Sequence, residues 1–191
     1  IGGNGQDTLS FENFTYALTI DASLGTATSI ATGTDSFSGF ELFIGGEGHD
    51  TFIGSNAGES FIGGEGNDNV DGGGGADIID GGAGFDTVSG GAGNDTFIVR
   101  SETFEYGETI EGGADSDEVV AYGDIDFGAN TIGGIETFRF AEDGVYSWMH
   151  FYRDQLTGLA SNLHFVGSAE ADEIDVSLMS GQSIDLSTWT F

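Results

Sequence analysis

Residues 45–98 read GGEGHDTFI, GSNAGESFI, GGEGNDNVD, GGGGADIID, GGAGFDTVS and GGAGNDTFI, six blocks of nine residues in unbroken register. The sixth place of every block is an acid: Asp50, Glu59, Asp68, Asp77, Asp86 and Asp95. The eighth is apolar: Phe52, Phe61, Val70, Ile79, Val88 and Phe97. A period of nine with one apolar residue per block does not fit an amphipathic helix, whose apolar face recurs near every 3.6 residues. The residues after each acid, such as Thr51-Phe52-Ile53, are β-formers in a run just long enough for a short strand. The glycine pairs suit a turn that needs positive φ or close backbone approach. Turn, strand, turn, strand then closes a coil of two blocks, and alternate blocks stack. Asp50, Asp68 and Asp86 fall on one edge; Glu59, Asp77 and Asp95 fall on the other.

That stacking carries an electrostatic problem. Neighbouring strands lie ~4.8 Å apart, and two carboxylates at that spacing repel by about 3.5 kcal/mol at an effective dielectric of 20. The core is thin, because one buried apolar side chain per block contributes about 2–3 kcal/mol. A divalent cation between successive acids converts the repulsion into attraction and takes turn carbonyls as further ligands. Oxygen ligands on flexible loops favour calcium over zinc or copper. The repeats are therefore expected to be unfolded without calcium.

The block resembles the calcium-binding nonapeptide of the repeats-in-toxin (RTX) family, GGxGxDxUx. The resemblance implies an all-β fold, a right-handed parallel β-roll or β-helix solenoid, with at least three calcium ions. It also implies a ligand set for each ion. The earlier turn gives its second- and fourth-place carbonyls and its acid; the later gives its first- and third-place carbonyls and its acid. One ion would take Gly46, Gly48 and Asp50 with Gly63, Glu65 and Asp68. The next would take Gly64, Gly66 and Asp68 with Gly81, Ala83 and Asp86. On the opposite edge one would take Gly73, Gly75 and Asp77 with Gly90, Ala92 and Asp95. Another would join Gly91, Gly93 and Asp95 to Gly112, Ala114 and Asp117. The block at 54–62 departs from the pattern with Ser55, Ala57 and Glu59, and the longer Glu leaves an ion between Glu59 and Asp77 an open question.

Composition limits the partners. The chain has 33 acids against three basic residues and a formal net charge of −30. Repulsion excludes nucleic acid and anionic membranes as direct partners. With 38% hydrophobic residues and 12% aromatic, the chain is too apolar for a disordered acidic tail. A halophile's surface would scatter its acids, yet the repeat places hold only some of them, so a saline habitat stays open as a second cause. There is no Cys, hence no disulfide framework or thiol chemistry. The absence of Pro suits a chain made mostly of ladder. No signal-peptide pattern or membrane-length apolar run is visible. The chain opens inside a repeat and is read as a piece of a longer protein.

Three regions follow. Residues 1–44 are irregular coils holding one consensus block, Gly2 to Ser10, with strand-like runs at Tyr16–Ile20, Thr26–Ile30 and Phe40–Ile44. Gly33 to Ser38 keeps six places of a block, which makes Asp35 a further candidate calcium acid. Residues 45–98 are the roll. Residues 99–191 hold degenerate repeats and an aromatic-rich cap. In them 99–111 carries a four-residue insertion, and Gly112–Val120 restores the register, stacking Glu108 on Asp86 and Asp117 on Asp95. Strand candidates continue at Glu136–Phe140, Val145–His150, Leu163–Val166, Glu173–Val176 and Ser183–Leu186, with one short helix at Arg153–Leu159. Terminal units of a repeat stack must differ from the rest to cover the core.

No HExxH helix, GxSxG elbow or phosphate loop is present, and the module is read as non-enzymatic. His49 falls at a solvent-facing place; His150 and His164 are isolated and read as structural or surface residues. Tyr146 to Arg153 reads as a packed strand, with Trp148 or Tyr152 as the alternative contact for a partner or sugar. The seventh-place row (Thr51, Ser60, Asn69, Ile78, Thr87, Thr96) lacks the regular Thr ladder of an ice-binding face. The expected function is a calcium-folded structural module of a large secreted or surface protein of adhesin or surface-layer type. The resemblance implies export by a type I secretion apparatus. Other copies of the protein or a cell-surface ligand are candidate partners. The alternative is the noncatalytic carboxyl-terminal module of a secreted protease, lipase or epimerase.

Overall fold

The computed structural model describes residues 1–141, 147–152, 163–167 and 172–177. Within them the chain is all-β, without a helix. One sheet stacks β1 (Thr8–Ser10), β5 (Leu42–Ile44), β7 (Ser60–Glu65), β9 (Ile78–Ala83), β11 (Thr96–Arg100), β13 (Glu118–Tyr122), β16 (Thr137–Phe140) and β18 (His164–Val166), in that order and all parallel. The facing sheet runs β15 (Thr131–Gly133), β12 (Thr109–Ala114), β10 (Thr87–Ala92), β8 (Asn69–Asp71), β6 (Thr51–Ile53) and β2 (Leu18–Asp21), again parallel. It ends in an antiparallel flap of β3 (Thr26–Ser29) and β4 (Gly33–Ser36). A smaller sheet pairs β14 (Ile125–Asp126), β17 (Trp148–Tyr152) and β19 (Glu173–Ser177).

The chain alternates between the two large sheets, so consecutive strands face each other and every second strand pairs. Ser60 pairs with Ile78 and Thr51 with Asn69, the two-block repeat expected of the sequence. The four-residue insertion is absorbed as expected, because Thr87 pairs with Thr109 and Thr96 with Glu118.

Eighth-place residues form two columns inside the coil. Phe43, Phe61, Ile79, Phe97, Val119, Phe138 and Phe165 line one sheet; Ile20, Phe52, Val70, Val88, Ile110 and Ile132 line the other, and nearly all are fully buried. Phe43 stacks on Phe61 at 5.6 Å between centroids, and Phe52 meets the Phe61 edge at 5.7 Å. A second aromatic group fills the wider coils, where Phe127 stacks on Phe151 at 4.8 Å. In β17, Met149 and Phe151 are buried while Trp148, His150 and Tyr152 alternate outward, so the packed-strand reading holds. The expected helix at Arg153–Leu159, the strand at Ser183–Leu186 and the final eight residues lie outside the described residues.

The sequence left residues 11–44 without a register, and the structure supplies one. Thr19 and Ile20 pair with Thr51 and Phe52, so residues 13–21 act as a block with Leu18 at the acid place. Leu42 and Phe43 pair with Ser60 and Phe61, so residues 36–44 act as another, with Glu41 as the acid. Asp35 is a correction. It sits on the exposed flap strand β4, paired antiparallel with Ala27, and joins neither acid column.

Candidate metal centre

The sixth-place acids form two ladders at the sheet turns. On one, the backbone N–H of Asp50 donates to Asp68 Oδ1 at 2.7 Å, and that of Asp68 donates to Asp86 Oδ1 at 2.8 Å. On the other, Glu59 N–H donates to Asp77 Oδ1 at 2.7 Å, Asp77 N–H to Asp95 Oδ1 at 2.9 Å, and Asp95 N–H to Asp117 Oδ1 at 2.8 Å. Each acid is thereby held by the acid place one coil earlier. One oxygen of each carboxylate is used in this way. The other is not: Oδ2 of Asp68, Asp77, Asp86, Asp95 and Asp117 is buried without a hydrogen-bond partner. These five residues are at most 2% exposed. A buried carboxylate oxygen with no partner carries a large desolvation cost unless a cation meets it.

The turns bring carbonyls to the same places. A Cβ on Gly72 would stand 2.6 Å from the Gly90 carbonyl oxygen and 2.7 Å from Asp77 Oδ2. Those separations approach the 2.3–2.6 Å that calcium keeps to oxygen. The first-place glycine leaves open a cradle that a side chain would fill. At Gly63 the crowding oxygens are the Gly81 carbonyl and Asp68 Oδ2, and at Gly45 they are the Gly63 carbonyl and Asp50 Oδ2. Second- and fourth-place glycines adopt positive φ in the turns at 63–66, 72–75, 81–84 and 90–93, and Asp115 does so at φ 82 in the turn at 112–115. No group of three His, Cys, Asp or Glu side chains is arranged to hold a metal among the described residues. Any ion here would combine two carboxylates with backbone carbonyls, and that all-oxygen set suits calcium.

Two turns within residues 45–98 behave differently. In the 45–53 block Gly46 N–H donates to Asp50 Oδ2 at 2.9 Å, and in the 54–62 block Ser55 N–H donates to Glu59 Oε2 at 3.1 Å. Ser55 Oγ also contacts Glu59 Oε1. Neither second-place residue has positive φ, so its N–H turns onto its own acid. Asp50 Oδ1 further accepts the Leu18 N–H at 2.9 Å. A consensus sequence at 45–53 does not reveal this.

Burial is the main influence on the acids. It pushes Asp68 and Asp77 up to about 7, with repulsion from Asp86 and Asp50, and from Asp95 and Glu59, adding to it. Glu108 rises to about 8 and Asp117 to about 6, again chiefly through burial. Asp86 and Asp95 shift upward for the same reason. In each case the N–H donated to the carboxylate opposes the rise without cancelling it. Protein groups alone leave these carboxylates poorly stabilised as anions, a deficit that a bound cation would make up.

The family comparison agrees with this geometry. The description "RTX calcium-binding nonapeptide repeat (4 copies)" matches residues 35–70, 53–88 and 71–99. Residues 35–99 are RTX repeats. A comparison with curated proteins gives no match to the chain. RTX repeats bind calcium, so this stretch is a calcium-binding β-roll module.

The ladders also include two acids that the sequence did not single out, Glu41 within the RTX match and Glu136 beyond it. Asp7 N–H donates to Glu41 Oε2 at 3.0 Å, and Asp117 N–H donates to Glu136 Oε2 at 2.9 Å. The signal was an acid two residues before a core Phe, Glu41-Leu42-Phe43 and Glu136-Thr137-Phe138. One ladder is bounded at both ends, and the other at its far end, by residues without a carboxylate. Leu18 opens one, and Asn130 closes it by accepting Glu108 N–H at 3.0 Å. Leu163 precedes β18 where the other ladder's next acid would fall. His49 is exposed, as expected, and its Nδ1 accepts the Asn67 N–H at 2.6 Å within a separate fifth-place ladder in which Asn67 Oδ1 accepts the Phe85 N–H at 3.2 Å.

Proposed function

We propose that this chain is a calcium-folded structural module of a large secreted or cell-surface bacterial protein of adhesin or surface-layer type, exported by a type I secretion system. The row of buried, unpartnered Oδ2 atoms along both ladders carries the reading. Submicromolar calcium inside the cell leaves the carboxylates mutually repelling and the chain threadable. Millimolar calcium outside binds only the folded state and so drives folding after exit. The proposed ligand sets are those implied by the family, from Gly46, Gly48 and Asp50 with Gly63, Glu65 and Asp68 through to Gly91, Gly93 and Asp95 with Gly112, Ala114 and Asp117. The second reading, a noncatalytic module attached to a secreted enzyme, uses the same calcium chemistry. A catalytic motif in the neighbouring coding sequence would favour it, and further repeats would favour the structural role.

Small-angle scattering tests the folding step. In calcium-free buffer the radius of gyration should approach the ~47 Å of an unfolded chain of this length, and in millimolar calcium it should fall toward ~16 Å. A compact chain in both buffers would refute the export mechanism.

A further inference from the structure

We infer that the ladder ends in one more calcium site, outside the matched RTX repeats, between the turn at 112–117 and a truncated turn at 134–136. The inference rests on the calcium reading above, but its geometry is separate. In a full repeat five residues separate the ninth place of one block from the acid of the next. β15 ends at Gly133, which pairs with the ninth-place Glu111, and only Gly134 and Ile135 then precede Glu136. It nevertheless reproduces two parts of the repeat. The Gly134 carbonyl takes the place of the first-place carbonyl, since a Cβ on Gly112 would meet it as well as Asp117 Oδ2, the latter at 2.5 Å. Glu136 takes the place of the acid, with Oε2 accepting the Asp117 N–H at 2.9 Å.

The observation that calls for a ligand is Asp117 Oδ2. It is buried without a partner on a residue 1% exposed, and it shares its small space with the Gly134 carbonyl. Asp115 holds the fourth place at φ 82, a conformation that costs a non-glycine residue free energy, and so keeps the full-turn shape at this point. The available oxygens are Asp117 Oδ2, the carbonyls of Gly113, Asp115 and Gly134, and the Glu136 carboxylate. The truncated turn supplies no third-place carbonyl. Calcium tolerates six to eight ligands including water, so water or the second Glu136 oxygen completes the set, and this site binds more weakly than those between full turns. Its place in the fold gives it a role: it ties β13, the last strand of the regular stack, to β16, the first strand beyond it. The Arg139–Glu118 pair, with two hydrogen bonds of 2.9 and 2.8 Å, joins the same strands.

Crystals of the full chain grown in calcium, with anomalous diffraction, provide the test. A calcium peak within bonding distance of Asp117 Oδ2 and Glu136 supports the inference. Peaks at Asp68–Asp86 and Asp77–Asp95 with none at Asp117–Glu136 overturn it. No calcium anywhere would instead defeat the functional reading. Native mass spectrometry gives a second measure. Glu136→Gln should bind one ion fewer than the parent at saturating calcium while retaining its β spectrum, and an unchanged ion count would contradict the site. If the variant does not fold, the parent crystal still decides.

Discussion

The backbone N–H of Asp68 donates to Oδ1 of Asp86 across 2.8 Å, one coil further along the chain. The bond fixes the two carboxylates one above the other and leaves Oδ2 of each buried and unpartnered. Asp68 is also the acceptor for Asp50. It therefore stands between two turns and belongs to two proposed ion sites.

Asp68→Ala should raise the calcium midpoint of folding by about 10–100-fold, the scale seen when groups supporting a metal are lost. Asp7→Ala should have little effect, because Asp7 sits at an end of its ladder and its Oδ2 already accepts the Gly3 N–H at 2.5 Å. Calcium titrations of the two variants followed by circular dichroism give the comparison, and equal midpoints would refute the stacking.

Alanine at Gly63 should be far more damaging than alanine at Gly5. A Cβ at Gly63 collides with the Gly81 carbonyl and with Asp68 Oδ2, whereas at Gly5 it meets nothing within 4 Å and only the φ of 119° resists it. The expected cost at Gly5 is about 1–2 kcal/mol. At Gly63 the overpacking alone costs about 1–3 kcal/mol, and the metal cradle is filled as well. Denaturant midpoints in saturating calcium would separate them, and a Gly63 variant as stable as the Gly5 variant would contradict the cradle.

The pH response should change sign with calcium. Native Asp68 and Asp77 titrate near 7 against an ordinary 3.8. Between about 4 and 7 the calcium-free native chain thus binds more protons than the unfolded one. The stability that these acids contribute must increase as pH falls through that window and be lost as pH rises through 7. With calcium bound, protons compete for the same oxygens, and the calcium midpoint should rise on acidification. Thermal melts at pH 5 and pH 8 in calcium-depleted buffer test the first statement. A melting temperature higher at pH 8 would count against burial as the dominant influence on these acids.

Between Thr51 and Arg100 the sequence revealed almost everything, because the acid, the core residue and the turn glycines each recur at fixed places. It also carried the register across the insertion to Glu108 and Asp117. It did not show the coils at 13–21 and 36–44. Leu18 replaces the acid of the first, and the second keeps only Gly39, Glu41 and Phe43 of the pattern. Asp35 was misleading for a related reason: a local match of residue types could not reveal that β4 folds back on β3. The self-capped acids Asp50 and Glu59 were also hidden, since the rotation of one N–H at Gly46 or Ser55 leaves no mark on composition.

Circular dichroism of the whole chain during a calcium titration follows the coupling of folding to calcium itself. At neutral pH the calcium-free chain should give a largely coil-like spectrum, and millimolar calcium should restore a β spectrum cooperatively. Magnesium should fail to do so, because it demands a tight octahedron and releases its waters reluctantly. A β spectrum unchanged by calcium removal would contradict the account.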